Sequence, residues 1–166
     1  LPLSKRAEKL KAFLASHPES KARPRATELL ISTHAGLGDQ FLKDGDADNG
    51  IKQLMSAIDE ADIGISDKLF KGVIAQIPSN LYLRGQSGAS LKAASAIETK
   101  FGSDPNRLLD IARFYIGLER GDEAARVAEQ AIKLAPDMAE AHRVLALSRH
   151  INLQLDEATS EYKRAI

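Results

Sequence analysis

Asp122-Glu123-Ala124 and Asp156-Glu157-Ala158 are the same tripeptide, placed 34 residues apart near the end of the chain. The register extends outward from them. Ala112 aligns with Ala146, Ala131 with Ala165 and Ile132 with Ile166 at the same offset. A fixed period of this length marks a repeat architecture, in which one supersecondary unit recurs and each copy buries its apolar face on the next. The 25 Ala and 21 Leu, against 5 Phe, 3 Tyr and no Trp, make that unit helical. Ala and Leu are strong helix formers, whereas aromatic and β-branched residues favour strands.

The slots of one period can be followed along the chain. Stretch 105–138 carries Leu108, Ile111, Ala112, Tyr115, Ala124, Ala131 and then Pro136 as a breaker. Stretch 139–166 carries His142, Leu145, Ala146, Arg149, Ala158, Tyr162 and Ala165. With a bulky opening slot, a bulky-small pair, an aromatic and two later small residues, this pair resembles the tetratricopeptide (TPR) repeat family, bacterial type. Arg149 departs from the pattern, since an aromatic is usual there. One period earlier, 71–104 is degenerate, with Ile74, Ile77, Pro78, Leu81, Ser90, Ala94 and Ile97 in the slots. Stretch 31–64 fits again after a six-residue insertion at 65–70, through His34, Leu37, Gly38, Phe41, Gly50, Leu54 and Ala57. The expected organisation is one array over 1–166. It comprises a leading helix and the start of the next (1–30), a repeat (31–64), the insertion, a degenerate repeat (71–104), a repeat (105–138) and a truncated repeat (139–166).

Capping residues and breakers place nine helices, at 4–16, 23–43, 47–61, 66–83, 86–100, 105–119, 122–134, 138–153 and 156–166. Ser4, Ser66 and Asp104, the last before Pro105 at a first helical position, are the expected N-caps. Pro78 interrupts the apolar stripe Leu69, Val73, Ile77 and Leu81, which predicts a bent helix at that point. The fold class is therefore all-α, and the resemblance implies an α-α superhelix, the TPR solenoid.

The resemblance also implies a non-enzymatic scaffold that binds a protein or peptide in a concave groove lined by the first helix of each pair. By the family's geometry the groove residues here are Asn106, Leu109, Arg113 and Ile116, then Glu140, Arg143, Leu147 and His150. Arg113, Arg143 and protonated His150 give this wall a positive character suited to acidic or C-terminal carboxylate groups. The alternative is that they are solvated helix-face charges. The carboxylate clamp of chaperone-tail-binding members does not match, because its places hold Ala75, Ser79, Asp110, Glu140 and Val144. Two further readings stay open. One is a regulatory TPR segment of a larger multidomain enzyme. The other is a self-assembly module that forms a homodimer through the C-terminal helix, where Tyr162 and Ile166 would be exposed.

Other chemistry is disfavoured by composition and spacing. The 23 Lys and Arg balance the 23 Asp and Glu, so no net field draws the chain to nucleic acid. No apolar run reaches membrane-spanning length, so no membrane insertion is expected. Zero Cys excludes disulfides and thiolate metal sites. The run Asp44 to Ile51 begins like a calcium loop, but Asn49 replaces its turn Gly and Met55 its bidentate Glu. It reads as an inter-helix turn capped by Asp46 or Asp48. No two of His17, His34, His142 and His150 lie four residues apart, so no helical metal site forms, and His34 and His142 fill the family's large-aromatic slot. Gly85 to Ser90 lacks the Gly-Lys-Ser/Thr of a phosphate loop, and no catalytic constellation or cofactor site is found. Residues 1–25 carry seven basic and two acidic side chains, residues 39–67 two basic and eight acidic, so these segments should attract. The phrase Phe13 to Ser20 resembles the helix ends of bacterial envelope TPR proteins and leans the localisation toward periplasm or cell envelope. The missing initial Met and the last helix stopping in mid-pattern point to a processed chain or a piece of a longer one.

Overall fold

Proline and small residues decide where these helices start and how closely they cross. The computed structural model describes all 166 residues. Its helices are α1 (Leu3–Ser16), α2 (Arg23–Lys43), α3 (Ala47–Glu60), α4 (Asp67–Gly72), a 3₁₀ turn (Ile74–Gln76), α5 (Ile77–Leu83), α6 (Ser87–Lys100), α7 (Pro105–Gly117), α8 (Gly121–Leu134), α9 (Ala139–Ile151) and α10 (Leu155–Arg164). No helix is long and apolar enough to cross a membrane. Leu1–Ala96 and Ile97–Ile166 form two compact units.

In the first unit α1 packs on α2 and α2 on α3. Ala7 of α1 meets Leu30 and Leu37 of α2, with Leu3, Leu10, Leu14 and Phe41 around them. The α2 and α3 backbones approach at Gly38 and Gly50. A Cβ on Gly38 would stand 2.6 Å from Leu54 Cγ and 3.0 Å from the Gly50 carbonyl, so no side chain fits without a shift. Ser66 caps α4, its Oγ accepting the Leu69 N–H at 3.3 Å, and the Ser66 N–H donates to Glu28 of α2 at 3.0 Å. Between the basic start and the acidic segment, Lys11 lies 4.0 Å from Glu60.

Two sequence expectations fail in this unit. The helix over 66–83 is broken rather than bent, and the break is at Val73 (φ −128°, ψ −66°), five residues before Pro78. Pro78 instead stands in the first turn of α5. There its missing N–H is one the helix does not use, so it starts a helix at no cost to the ladder. Ser4 is not a cap, because α1 already begins at Leu3 after Pro2.

The second unit is a regular stack. α7 packs on α8, α9 on both α7 and α8, and α10 on α9. Asp104 caps α7 as expected, its Oδ1 accepting the Asn106 and Arg107 N–H groups at 3.0 and 3.2 Å. Leu108, Ile111, Ala112, Val127, Ala128 and Ala131 are all buried without measurable exposure. Each fully buried Leu or Ile contributes roughly 1.5–3 kcal/mol.

Both units repeat the same two devices in the register read from the sequence. Each turn between paired helices has one residue in the left-handed region: Gly45 (φ 84°), Gly85 (77°), Glu119 (56°) and Leu153 (58°). The next N–H in each case donates five residues back, Asp46 to Phe41, Gln86 to Leu81, Arg120 to Tyr115 and Gln154 to Arg149, at 2.9–3.0 Å. This is the Schellman closure, which satisfies the last carbonyls of a helix. The helix crossings repeat as well. Gly38 and Gly50, Pro78 and Ser90, Ala112 and Ala124, and Ala146 and Ala158 are all buried, and each pair is twelve residues apart. Small residues at these positions let the helix axes come close.

Candidate functional site

The outward face of α7 and α9 in the second unit holds most of the residues that the sequence assigns to a groove. Helical periodicity puts Asn106, Arg113 and Ile116 on one side of α7, and Glu140, Arg143, Leu147 and His150 on one side of α9. Asn106, Arg113, Arg143 and His150 are exposed, Ile116 and Glu140 are partly so, and Leu147 is 40% exposed. Leu109 is the exception. At 1% exposure it belongs to the core, although its helical position lies between those of Arg113 and Ile116.

The charges on this face are paired. Arg113 donates through Nη1 to Asp110 at 2.7 Å and through Nη2 to Glu140, so it bridges α7 to α9. Arg143 grips Glu140 with two bonds, Nε to Oε2 at 2.8 Å and Nη2 to Oε1 at 2.7 Å. The Arg143 hydrogen bonds, helped by Arg113, hold the Glu140 pKa down to about 2. Two guanidiniums thus share two carboxylates. The face is charge-balanced, not the cationic wall that Arg113 and Arg143 predict when read alone. Ile116 and Leu147 are the aliphatic side chains on this face.

Other polar residues carry structure. Asp46 caps α3, with Oδ1 accepting the Asn49 N–H at 3.1 Å and Oδ2 the Asn49 side-chain amide at 2.7 Å. These bonds hold its pKa below the usual carboxylate range. Arg149, which replaces the family's aromatic, reaches Glu129 of α8 and donates to Gln154 at 3.0 Å.

His34 and His142 are buried as expected for a packing slot, at 4% and 6% exposure. Each also has a polar partner that sequence reasoning did not find. His34 Nδ1 lies 2.6 Å from Gln53 Oε1, and His142 Nδ1 lies 2.7 Å from Glu161 Oε2. Both partners are nineteen residues on, and in the two intervening repeats the same positions hold Ile74 with Ala93 and Leu108 with Val127, all apolar and buried. The signal was present as a polar residue nineteen after each slot histidine.

Comparison with known proteins places the fold. No family model and no curated protein matches the sequence. Among solved structures the chain is similar to MamA. One crystal structure of MamA is 16% identical, covering 96% of this chain and 84% of that one, with a TM-score of 0.51. A second is 15% identical over 98% and 90%, also at 0.51, and a MamA mutant is 20% identical over 81% and 94%, at 0.53. At this identity the likeness is one of fold, an all-α, TPR-like helical solenoid.

Proposed function

We propose that the chain is a bacterial-type TPR array acting as a non-enzymatic scaffold, which presents the α7–α9 face to a protein or peptide. The observation that supports this most is the Arg113–Glu140 bridge. It fixes two first helices of adjacent pairs side by side, so that Asn106, Ile116, Arg143, Leu147 and His150 form one rigid surface. A surface ordered in advance loses less entropy on binding than a mobile one. Several buried polar groups make structural contacts. Thr33, Ser90 and Ser148 donate to helix carbonyls, Arg107 lies 3.3 Å from Asp104 and over the Phe101 ring, and the two buried histidines bond to helix neighbours.

The test is affinity capture with the wild type and with Arg113→Glu combined with Arg143→Glu, alongside Leu147→Asp. Loss of partner recovery at unchanged helicity supports the reading, and recovery equal to wild type removes this face from it.

A second reading, self-association through α10, rests on a comparison of slots. Gly121, Ala125 and Ala128 of α8 lie buried, while their counterparts one period later, Leu155, Thr159 and Tyr162, are exposed, with Leu155 at 56% and Tyr162 at 38%. Light scattering against concentration tests it. A strict monomer at high concentration would sink it.

A further inference from the structure

His142 sits in the first turns of α9 with an acceptor at each ring nitrogen. Nδ1 is 2.7 Å from the Glu161 carboxylate of α10, and Nε2 is 2.8 Å from the Pro136 carbonyl in the α8–α9 turn. A carbonyl oxygen can only accept, and the Glu161 carboxylate, whose other oxygen takes a bond from Arg164 at 3.1 Å, accepts here too. Both nitrogens must therefore donate, which only the imidazolium can do. The ring is 92% buried by its neighbours, and a solvent-open pocket between α8, α9 and α10 residues reaches it.

We propose that His142 is a proton-operated latch. As an imidazolium it ties α10 to α9 and to the α8–α9 turn, and losing its proton to solvent loosens α10. A neutral ring must aim a lone pair at either the Glu161 carboxylate or the Pro136 carbonyl, and that contact then repels. One of the two ties breaks in either tautomer.

The surroundings favour the charged form. From α10 the ring is faced by Glu157, Glu161 and Arg164, from α8 by Glu129 and Lys133, from the turn by Asp137 and from its own helix by Arg149. Arg149 is paired with Glu129 and Arg164 with Glu161, which leaves Arg164 a minor opposing charge. The Glu161 hydrogen bond is the main influence that raises the His142 pKa above 6.5, and the Pro136 bond adds to it, against burial and Arg164. A histidine whose folded pKa is raised stabilises fully below about 6.5, and the stabilisation is lost as pH climbs through the folded value. Acid therefore fastens α10 and mild alkali frees it.

His34 is the internal control. Its Nδ1 meets the Gln53 amide oxygen, while its buried Nε2 has no hydrogen-bond partner. That ring meets an acceptor at one nitrogen only, so the α2–α3 pair has no such latch.

The experiment follows imidazole nitrogen shifts and backbone hydrogen exchange of the whole chain from pH 5.5 to 9, corrected for intrinsic exchange. We expect His142 to carry both protons at pH 6. Protection of α10 amides relative to α8 should fall through its titration, about tenfold for each unit by which the folded pKa exceeds 6.5. Glu161→Gln should bring the midpoint down toward 6.5, and His142→Gln should leave α10 protection flat with pH. A neutral His142 tautomer at pH 6, or α10 protection that tracks α8 throughout, overturns the proposal. The wild-type titration decides the matter even where a variant fails to fold.

Discussion

The hydroxyl of Ser90 donates to the carbonyl of Pro78 at 2.7 Å, with Ser90 fully buried, at the point where α5 and α6 cross. Gly38 with Gly50 and Ala112 with Ala124 make the same crossing elsewhere with no polar atom at all. Proline is bulkier than those residues, and serine answers it by staying small and adding a bond. Ser90→Ala should cost about 1 kcal/mol, the net value of one hydrogen bond. Ser90→Val should cost about 1–3 kcal/mol by overpacking. Urea unfolding followed by circular dichroism separates the two.

The glycine crossing in the first unit is stricter. Gly38→Ala would drive its Cβ against the Leu54 side chain and the Gly50 backbone, and Gly50→Ala would meet Leu42 at 2.6 Å and the Gly38 carbonyl at 3.1 Å. Each should lose about 1–3 kcal/mol. Gly88→Ala in α6, where a Cβ meets nothing within 4 Å, should instead be neutral or gain up to about 1 kcal/mol from helix propensity. Equal melting temperatures for all three variants would contradict the close approach.

Glu119 and Leu153 hold left-handed turn positions that Gly45 and Gly85 hold in the first unit. A side chain there costs roughly 1–2 kcal/mol that glycine does not pay. Glu119→Gly and Leu153→Gly should each stabilise by about 0.5–1 kcal/mol after glycine's greater unfolded-state entropy is subtracted. The Leu153 variant also removes a side chain that is 82% exposed and apolar. Thermal melts of the single variants and the pair would show whether the gains add.

Acid should weaken the α7–α9 bridge. The Glu140 carboxyl, held at about 2 by Arg143 and Arg113, has an ordinary value of 4.5. An acid with a depressed folded pKa stabilises above its unfolded pKa, and that contribution disappears as pH falls from about 4.5 toward 2. Because the pair is partly open to solvent, we expect about 1 kcal/mol. Glu140→Gln should lower stability at pH 7 and leave it closer to wild type at pH 2.5, as read from denaturant midpoints.

The parts of this fold that depend on chain length and residue size were open to sequence reading. The period and the caps at Ser66 and Asp104 follow from local chemistry, which one sequence carries in full. The crossing slots are legible for the same reason, since only small residues satisfy them. The break at Val73 was not. Val73 has no breaker chemistry, and Pro78 drew the reading to itself, although proline is at home in a first helical turn. The surface was harder still. Asp110 and Glu140 are three and twenty-seven residues from Arg113, and only the packing of α9 on α7 brings the second within reach. Leu109 shows the same limit, because by helical period it lies between Arg113 and Ile116 and only tertiary packing buries it. The histidines stand between these cases: their burial follows from the slot, and their partners from a spacing that is plain only once the two helices are seen to pair.

The twelve-residue spacing of the crossing pairs has a consequence for how such a chain can be altered. Within a hairpin that spacing is the same at all four crossings, and each hairpin turn closes with the same left-handed residue and the same hydrogen bond. Between hairpins the distance varies, with 28 residues from Gly50 to Pro78 and 22 from Ser90 to Ala112. The turn inside a hairpin behaves as a fixed joint, while the link to the next hairpin tolerates added length. A loop, tag or reporter grafted between α8 and α9 should therefore leave both hairpins intact, whereas one residue added between α9 and α10 would rotate every later side chain out of its slot.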